Sequence, residues 1–145
     1  LFEDTLQSMV ALAVLMPIVA SMGGNAGTQS LTVVVRQLAL GGISKGDAMR
    51  IIKKEVLISL MNGFIFAVVM GVVAAVWFGI NMLGVVIALS MVINLLMAGL
   101  FGAAIPLFLK RVDVDPAIGS TVILTTVTDV VGFFSFLALA TYILL

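Results

Sequence analysis

Asp129 is the residue whose type and position most clearly indicate chemistry. It lies 13 residues after Pro116 in a long apolar stretch, about 20 Å along a helix, where a carboxylate must be solvated, paired or protonated. Thr121 and Thr125 precede it at four-residue spacing and share its helix face, with Ile118 beside them. The apolar stretches offer no obvious basic partner, so we predict that Asp129 binds a cation. A protonated Asp129 bonded to a neighbouring helix is the structural alternative.

A second polar group interrupts the first apolar stretch. It consists of glycines, amides and hydroxyl residues: Gly23, Gly24, Asn25, Gly27, Thr28, Gln29, Ser30 and Thr32. Gly23 and Gly27 form a GxxxG pair, which is typical of close helix contact, so packing is one interpretation. The number of polar residues favours another, in which the glycines break the helix and freed carbonyls face a cation or its hydration shell.

The composition excludes several classes of protein. Hydrophobic residues make up 63% of the chain and charged residues 10%, against about one half and one quarter in soluble domains. Seven basic residues balance seven acidic ones, which leaves no electrostatic footprint for nucleic acid. The sequence has no Cys and no His, which removes thiolate and imidazole metal sites and Ser–His or Cys–His catalysis. We therefore expect a membrane protein in contact with lipid, and no enzyme.

Four apolar stretches must position these residues. Each is long enough for a membrane helix of about 20 residues, and they cover about 5–40, 56–78, 82–109 and 117–145. We predict an all-α, polytopic membrane helical bundle in which residues 1–145 form one transmembrane pore domain. Its first helix is broken by the glycines, and Pro116 occupies the first position of the last helix. Lys and Arg residues lie in or beside the first and third links, which puts both links in the cytoplasm and both termini outside.

The ligand chemistry indicates the ion and the assembly. Oxygen ligands alone suit Mg²⁺, Ca²⁺ or Mn²⁺, and Mg²⁺ gives up its waters reluctantly. One carboxylate per chain is a poor cage for a bare ion, whereas two copies of Asp129 facing each other across a two-fold axis suit a hydrated one. We predict a homodimer with a central pore. The chain starts without Met or a basic leader, so we expect a piece of a longer protein.

Two motifs resemble those of the MgtE family of magnesium channels. One runs from Pro17 through GGNAGTQS to Arg36, ahead of a basic link containing Lys54-Glu55; the other runs from Asp115 to Gly132 and contains TTVTDVVG. The resemblance covers the whole chain. It implies a homodimer that passes hydrated Mg²⁺ through an axial pore in the bacterial inner (plasma) membrane. This chain then supplies four of five helices, and the first helix and the cytoplasmic regulatory N and CBS domains lie outside the sequence.

The resemblance also implies roles for individual residues. Asp129 matches the Asp that binds hydrated Mg²⁺ in the pore. Pore-lining positions match five further residues: Ile118, Thr121, Thr125, Thr28 and Thr32. Gly24 and Gly27 match glycines of the family motif. Thr121 stands where some members have Asn, and Val122 where many have Pro, so other divalent cations are also candidate substrates.

Two functions fit these residues. The first is a passive magnesium channel, and the alternative is an ion-coupled secondary divalent-cation transporter in which Asp129 gains and loses a proton. An enzyme acting on lipid lacks a plausible acid–base pair, and a purely structural anchor leaves Asp129 unexplained.

Overall fold

Four long helices make up the fold. The computed structural model describes residues 3–41, 47–116 and 119–144, with side chains from Val10 onward. The helices are, in chain order, α1 (Glu3–Ala39), α2 (Ala48–Phe78), α3 (Asn81–Arg111) and α4 (Ser120–Ile143). All four are long and apolar enough to cross a membrane, and no strand occurs in the described ranges. The predicted all-α membrane bundle is confirmed.

The helix α1 is continuous, so the predicted break at the glycines is wrong. It runs as one helix from Glu3 to Ala39 and contains Pro17, which has no N–H to donate, and all three glycines of the polar segment. A glycine inside a helix costs about 1 kcal/mol relative to alanine. Here that cost is offset by close packing, because Gly23 lies against the side chain of Asn94 and Gly27 against that of Leu124.

Helix α2 begins at Ala48, ahead of the apolar stretch 56–78 that it contains, because Lys and Arg are good helix formers whose long side chains reach water from an otherwise apolar helix. The start of α4 differs from the sequence expectation. Helix α4 begins at Ser120, so Pro116 precedes the helix instead of opening it. Gly119 has a φ of 78°, a left-handed conformation that no residue inside a right-handed helix adopts.

A tight turn joins α2 to α3, as the short gap between the predicted stretches 56–78 and 82–109 requires. Gly79 ends α2 with a φ of 68°, and α3 begins two residues later at Asn81. A left-handed glycine is the usual residue at this position after a helix. The short turn makes α2 and α3 antiparallel neighbours.

Helix α3 occupies the centre of the bundle and packs against each of the other three helices. Small residues allow the backbones to approach closely: a Cβ added at Gly71 of α2 would lie 3.0 Å from the carbonyl oxygen of Gly84. Helices α1, α3 and α4 contribute the large apolar side chains that are fully buried, and α2 contributes none of them: Val19, Val34, Leu83, Val86, Ile87, Met91, Leu95, Leu124 and Phe136. Close contact between small residues is how membrane helices associate without a hydrophobic driving force.

Asn94 is the polar residue at the centre of this core. Its side chain is completely buried, and its Nδ2 donates a hydrogen bond of 2.8 Å to the carbonyl oxygen of Val19 on α1. Its Oδ1 is buried without a hydrogen-bond partner in the described part of the chain. Gly23 of α1 and Gly132 of α4 both lie against the amide. One side chain of α3 therefore touches α1 and α4 at the same level.

Candidate ion site

Helices α1 and α4 pack along a seam of small residues. Three pairs meet there: Ala20 with Gly132, Gly24 with Thr128, and Gly27 with Leu124. Residue numbers rise along α1 as they fall along α4, so the two helices are antiparallel. Steps of three or four residues keep each set of partners on one helix face. This seam fixes which other residues of α1 and α4 stand side by side.

Polar side chains follow one side of the seam. On α4, Thr125 follows Leu124 and Asp129 follows Thr128; on α1, Thr28 follows Gly27. Each step along a helix rotates the side chain by about 100°, and in an antiparallel pair the two rotations point to the same side. Thr121 and Thr32 extend the two stripes by one turn. The four threonines are exposed and Asp129 is half-buried.

The threonines of α1 present acceptor oxygens to this side. The hydroxyl of Thr28 donates to the carbonyl oxygen of Gly24, and that of Thr32 donates to the carbonyl oxygen of Thr28, each at 2.8 Å. With its proton committed to the backbone, each hydroxyl offers only lone pairs to a ligand. The waters of a hydrated cation are donors, and such oxygens suit them.

Asp129 is the carboxylate of this face. It makes no ion pair or hydrogen bond within the described ranges. The described residues contain no group of three or more acidic, His or Cys side chains that could hold a metal. A single carboxylate flanked by hydroxyls cannot replace the hydration shell of Mg²⁺, which prefers near-octahedral oxygen ligation. The geometry suits a hydrated cation held through its waters.

The structure places the other sequence-selected residues in different roles. Gly23 faces Asn94 of α3, whereas Gly24 and Gly27 form the seam with α4, in agreement with a packing role. Asn25 is exposed, on the same side of α1 as Thr28 and Thr32, so its amide belongs with the polar stripe and not with the packing. Ile118 lies outside the described residues.

Sequence reasoning gave little weight to two residues that the structure makes prominent. Asn94 lies in an apolar stretch, where an amide indicates an interhelical hydrogen bond, but its contact with both helices of the seam has no signal in the sequence. Glu55 was grouped with the charged link, yet its side chain is only 6% exposed. The signal for its burial is the four-residue spacing of Glu55, Ser59 and Gly63, a row whose backbone and Ser59 side chain pack on Leu95 and Gly99 of α3.

Comparison with known proteins identifies the family to which the chain is similar. Residues 16–139 match the model of the MgtE family, described as a divalent cation transporter. The magnesium transporter MgtE of Bacillus subtilis (strain 168) is 39% identical over 140 residues, which cover 97% of this chain and 31% of the relative. That of Thermus thermophilus is 34% identical over 143 residues, or 99% of this chain and 32% of the relative. A third, from Enterococcus faecalis, is 34% identical over 128 residues, or 88% of this chain and 28% of the relative. The chain thus spans about a third of the length of these relatives.

Proposed function

Because this chain belongs to the MgtE family of divalent cation transporters, we propose that it forms the ion-conducting membrane part of a magnesium channel. Members of this family are transporters and not enzymes. The observation that carries the proposal is the polar face beside the α1–α4 seam, with Asp129 and four threonines on one side of two apolar helices. Hydrated Mg²⁺ is the proposed substrate, and it passes along this face.

Two copies of the chain complete the pore. The Asp129 carboxylate of this stripe is costly against lipid, because it has no partner within the described ranges and an unsatisfied polar group in hydrocarbon costs several kcal/mol. A second copy related by a two-fold axis covers the stripe and brings two Asp129 carboxylates to one ion. The homodimer therefore supplies two negative charges to a divalent cation. The waters of the hydrated cation bond to the threonine oxygens.

The direction of the chain in the membrane follows from its basic residues. Arg50, Lys53 and Lys54 lie at the start of α2, and Lys110 and Arg111 lie at the end of α3. Because α2 and α3 are antiparallel, these two groups share one end of the bundle. The positive-inside rule assigns that end to the cytoplasm, which puts the ends of the chain outside a bacterial inner membrane.

Cysteine accessibility tests the proposed face directly, because the chain has no natural Cys. Thr125→Cys and Thr28→Cys should react with a membrane-impermeant, cationic thiosulfonate, and Mg²⁺ should slow the reaction. Val72→Cys is the matched control, since Val72 is 58% exposed on α2 and faces lipid in this arrangement. Equal protection of all three cysteines from the reagent by Mg²⁺ would contradict a water-filled face.

The coupled transporter remains the second candidate function, because Asp129 is a half-buried carboxylate without a partner in the described ranges. A channel conducts Mg²⁺ in proportion to the driving force, without a pH gradient. Proteoliposomes loaded with a magnesium indicator separate the two functions. Flux that requires a proton gradient would assign Asp129 to proton coupling.

A further inference from the structure

A polar cavity lies between α1 and α2, on a different face of α1 from the threonine stripe. Its volume is about 320 Å³. Six polar residues line it: Gln29, Ser30, Lys54, Glu55, Ser59 and Asn62. Glycines of α3 bring the walls together, because a Cβ added at Gly102 would lie 2.9 Å from the Cβ of Ser30, and Gly99 lies against Ser59. This site shares no residue with the proposed ion path.

Glu55 gives the cavity its chemical character. The residue is only 6% exposed, as are Ser30 at 6% and Ser59 at 4%. Its carboxylate forms no hydrogen bond or ion pair within the described part of the chain. Its carboxylate oxygens keep some accessible surface, because the one side-chain oxygen that is fully buried without a partner in the described residues is Asn94 Oδ1. A carboxylate enclosed this far is still costly unless it is paired or hydrogen-bonded. The cavity therefore calls for a ligand that brings a positive charge and hydrogen-bond donors.

The end of the cavity that carries Lys54 and Glu55 lies at the level of the lipid headgroups. Trp77, near the far end of α2, is 81% exposed, and exposed tryptophans mark the membrane interface. A hydrocarbon core of about 30 Å corresponds to about 20 residues of helix, which reaches back from Trp77 to Leu57. Lys54 and Glu55 lie just beyond that point, where headgroups replace acyl chains.

We propose that this cavity binds the headgroup of phosphatidylethanolamine. Its primary ammonium has three N–H donors, which match the carboxylate of Glu55 and the oxygens of Ser59 and Asn62. Its phosphate lies beside the exposed ammonium of Lys54, so the ammonium and the phosphate of this zwitterionic lipid each lie beside a residue of opposite charge. Among the described residues that line the cavity none is aromatic, so a quaternary choline, which lacks N–H groups and is held by aromatic cages, has only the charge of Glu55 to attract it and forms no hydrogen bonds there.

The rim of the cavity suits the rest of the lipid. Val33 of α1 and Ile58 of α2 line the opening and are 43% and 42% exposed. Further along α2, Met61 and Ile65 are 61% and 56% exposed, so an apolar track leads from the cavity towards the membrane centre. An acyl chain attached to the bound headgroup follows this track.

Native mass spectrometry of the purified full-length protein tests the proposal. The delipidated protein receives equimolar phosphatidylethanolamine, phosphatidylcholine and phosphatidylglycerol with identical acyl chains. We expect phosphatidylethanolamine to be retained about tenfold over phosphatidylcholine. Mono- and dimethylated phosphatidylethanolamine should be retained progressively less as N–H donors are lost. This series needs no variant, so it holds even where a substitution disturbs folding.

Two variants test whether the preference for phosphatidylethanolamine arises at the cavity. Glu55→Gln should reduce retention of phosphatidylethanolamine to the level of phosphatidylcholine, whereas Lys53→Gln should not, because Lys53 is exposed and does not line the cavity. Equal retention of the three lipids, or a preference for phosphatidylglycerol, would overturn the proposal. A preference that survives unchanged in Glu55→Gln would place the lipid elsewhere and overturn it as well.

Discussion

Replacing Asp129 by Asn tests the ion site most sharply. The substitution keeps the size of the side chain and one acceptor oxygen, but it removes one negative charge per chain and two per dimer. Asp129 is half-buried and makes no ion pair within the described ranges, so no internal partner loses a counter-charge. We therefore expect the bundle to fold and insert as before.

The expected loss of ion binding is large. At an effective dielectric constant of about 20, a carboxylate and a divalent ion about 5 Å apart attract by ~7 kcal/mol before desolvation costs. The waters between a hydrated ion and the carboxylate, and the wet surroundings of an exposed face, reduce this several-fold. A remaining ~2–3 kcal/mol still corresponds to about a hundredfold in affinity. Asp129→Asn should accordingly abolish selective Mg²⁺ flux.

The assay is Mg²⁺ entry into indicator-loaded proteoliposomes, with insertion checked by the amount of folded protein recovered. Asp113→Asn is the matched control, because Asp113 is exposed outside the helices and has a φ of 60° that Asn also tolerates. Thr125→Ser, which keeps the hydroxyl, should reduce flux much less. Asp129→Asn protein that is correctly inserted and conducts Mg²⁺ at the wild-type rate would refute the proposed site.

Two further predictions concern packing. Gly102→Ala should lower the free energy of unfolding by ~1–3 kcal/mol, because its Cβ would lie 2.8 Å from the carbonyl oxygen of Gly27. Gly24→Ala should be nearly neutral, because its Cβ would lie 3.9 Å from Thr128. Thermal unfolding in detergent compares the stability of the two variants. Asn94→Ala should lower the free energy of unfolding by ~1–2 kcal/mol, because the loss of the hydrogen bond to Val19 is partly offset by removal of the Oδ1, which has no partner within the described residues. Unchanged stability in the same assay would contradict the role given to the amide.

The sequence was sufficient for the number of helices and for the position of the carboxylate. Hydropathy depends on local composition, so the four spans and the turn at Gly79 could be predicted directly. The four-residue spacing of Thr121, Thr125 and Asp129 likewise follows from helix geometry alone. Both features are properties of one segment at a time.

Features that depend on two segments could not be predicted. The glycines of α1 suggested a break, because the side chains of Asn94 and Leu124 that pack on them lie about 70 to 100 residues further along the chain. Glu55 appeared to belong to a solvated link, because the glycine of α3 that draws α2 inward is not visible from its neighbours. That Thr28 stands beside Thr125 could likewise be known only from the packing of α1 against α4 along the seam.

The bond from Asn94 to Val19 helps to fix the register of α1 in the bundle. Small residues recur along α1 and α4 at steps of three or four residues, so sliding α1 by a turn would keep some small-residue contacts, although it would move Gly27 away from Leu124. Such a slip would also carry the Val19 carbonyl about 5.4 Å from the amide and leave a buried donor unpaired. A single polar side chain can specify register in this way, as it does in coiled coils. Since the same slip would move Thr28 away from the level of Thr125, the amide in the core also determines how the two halves of the polar face are aligned.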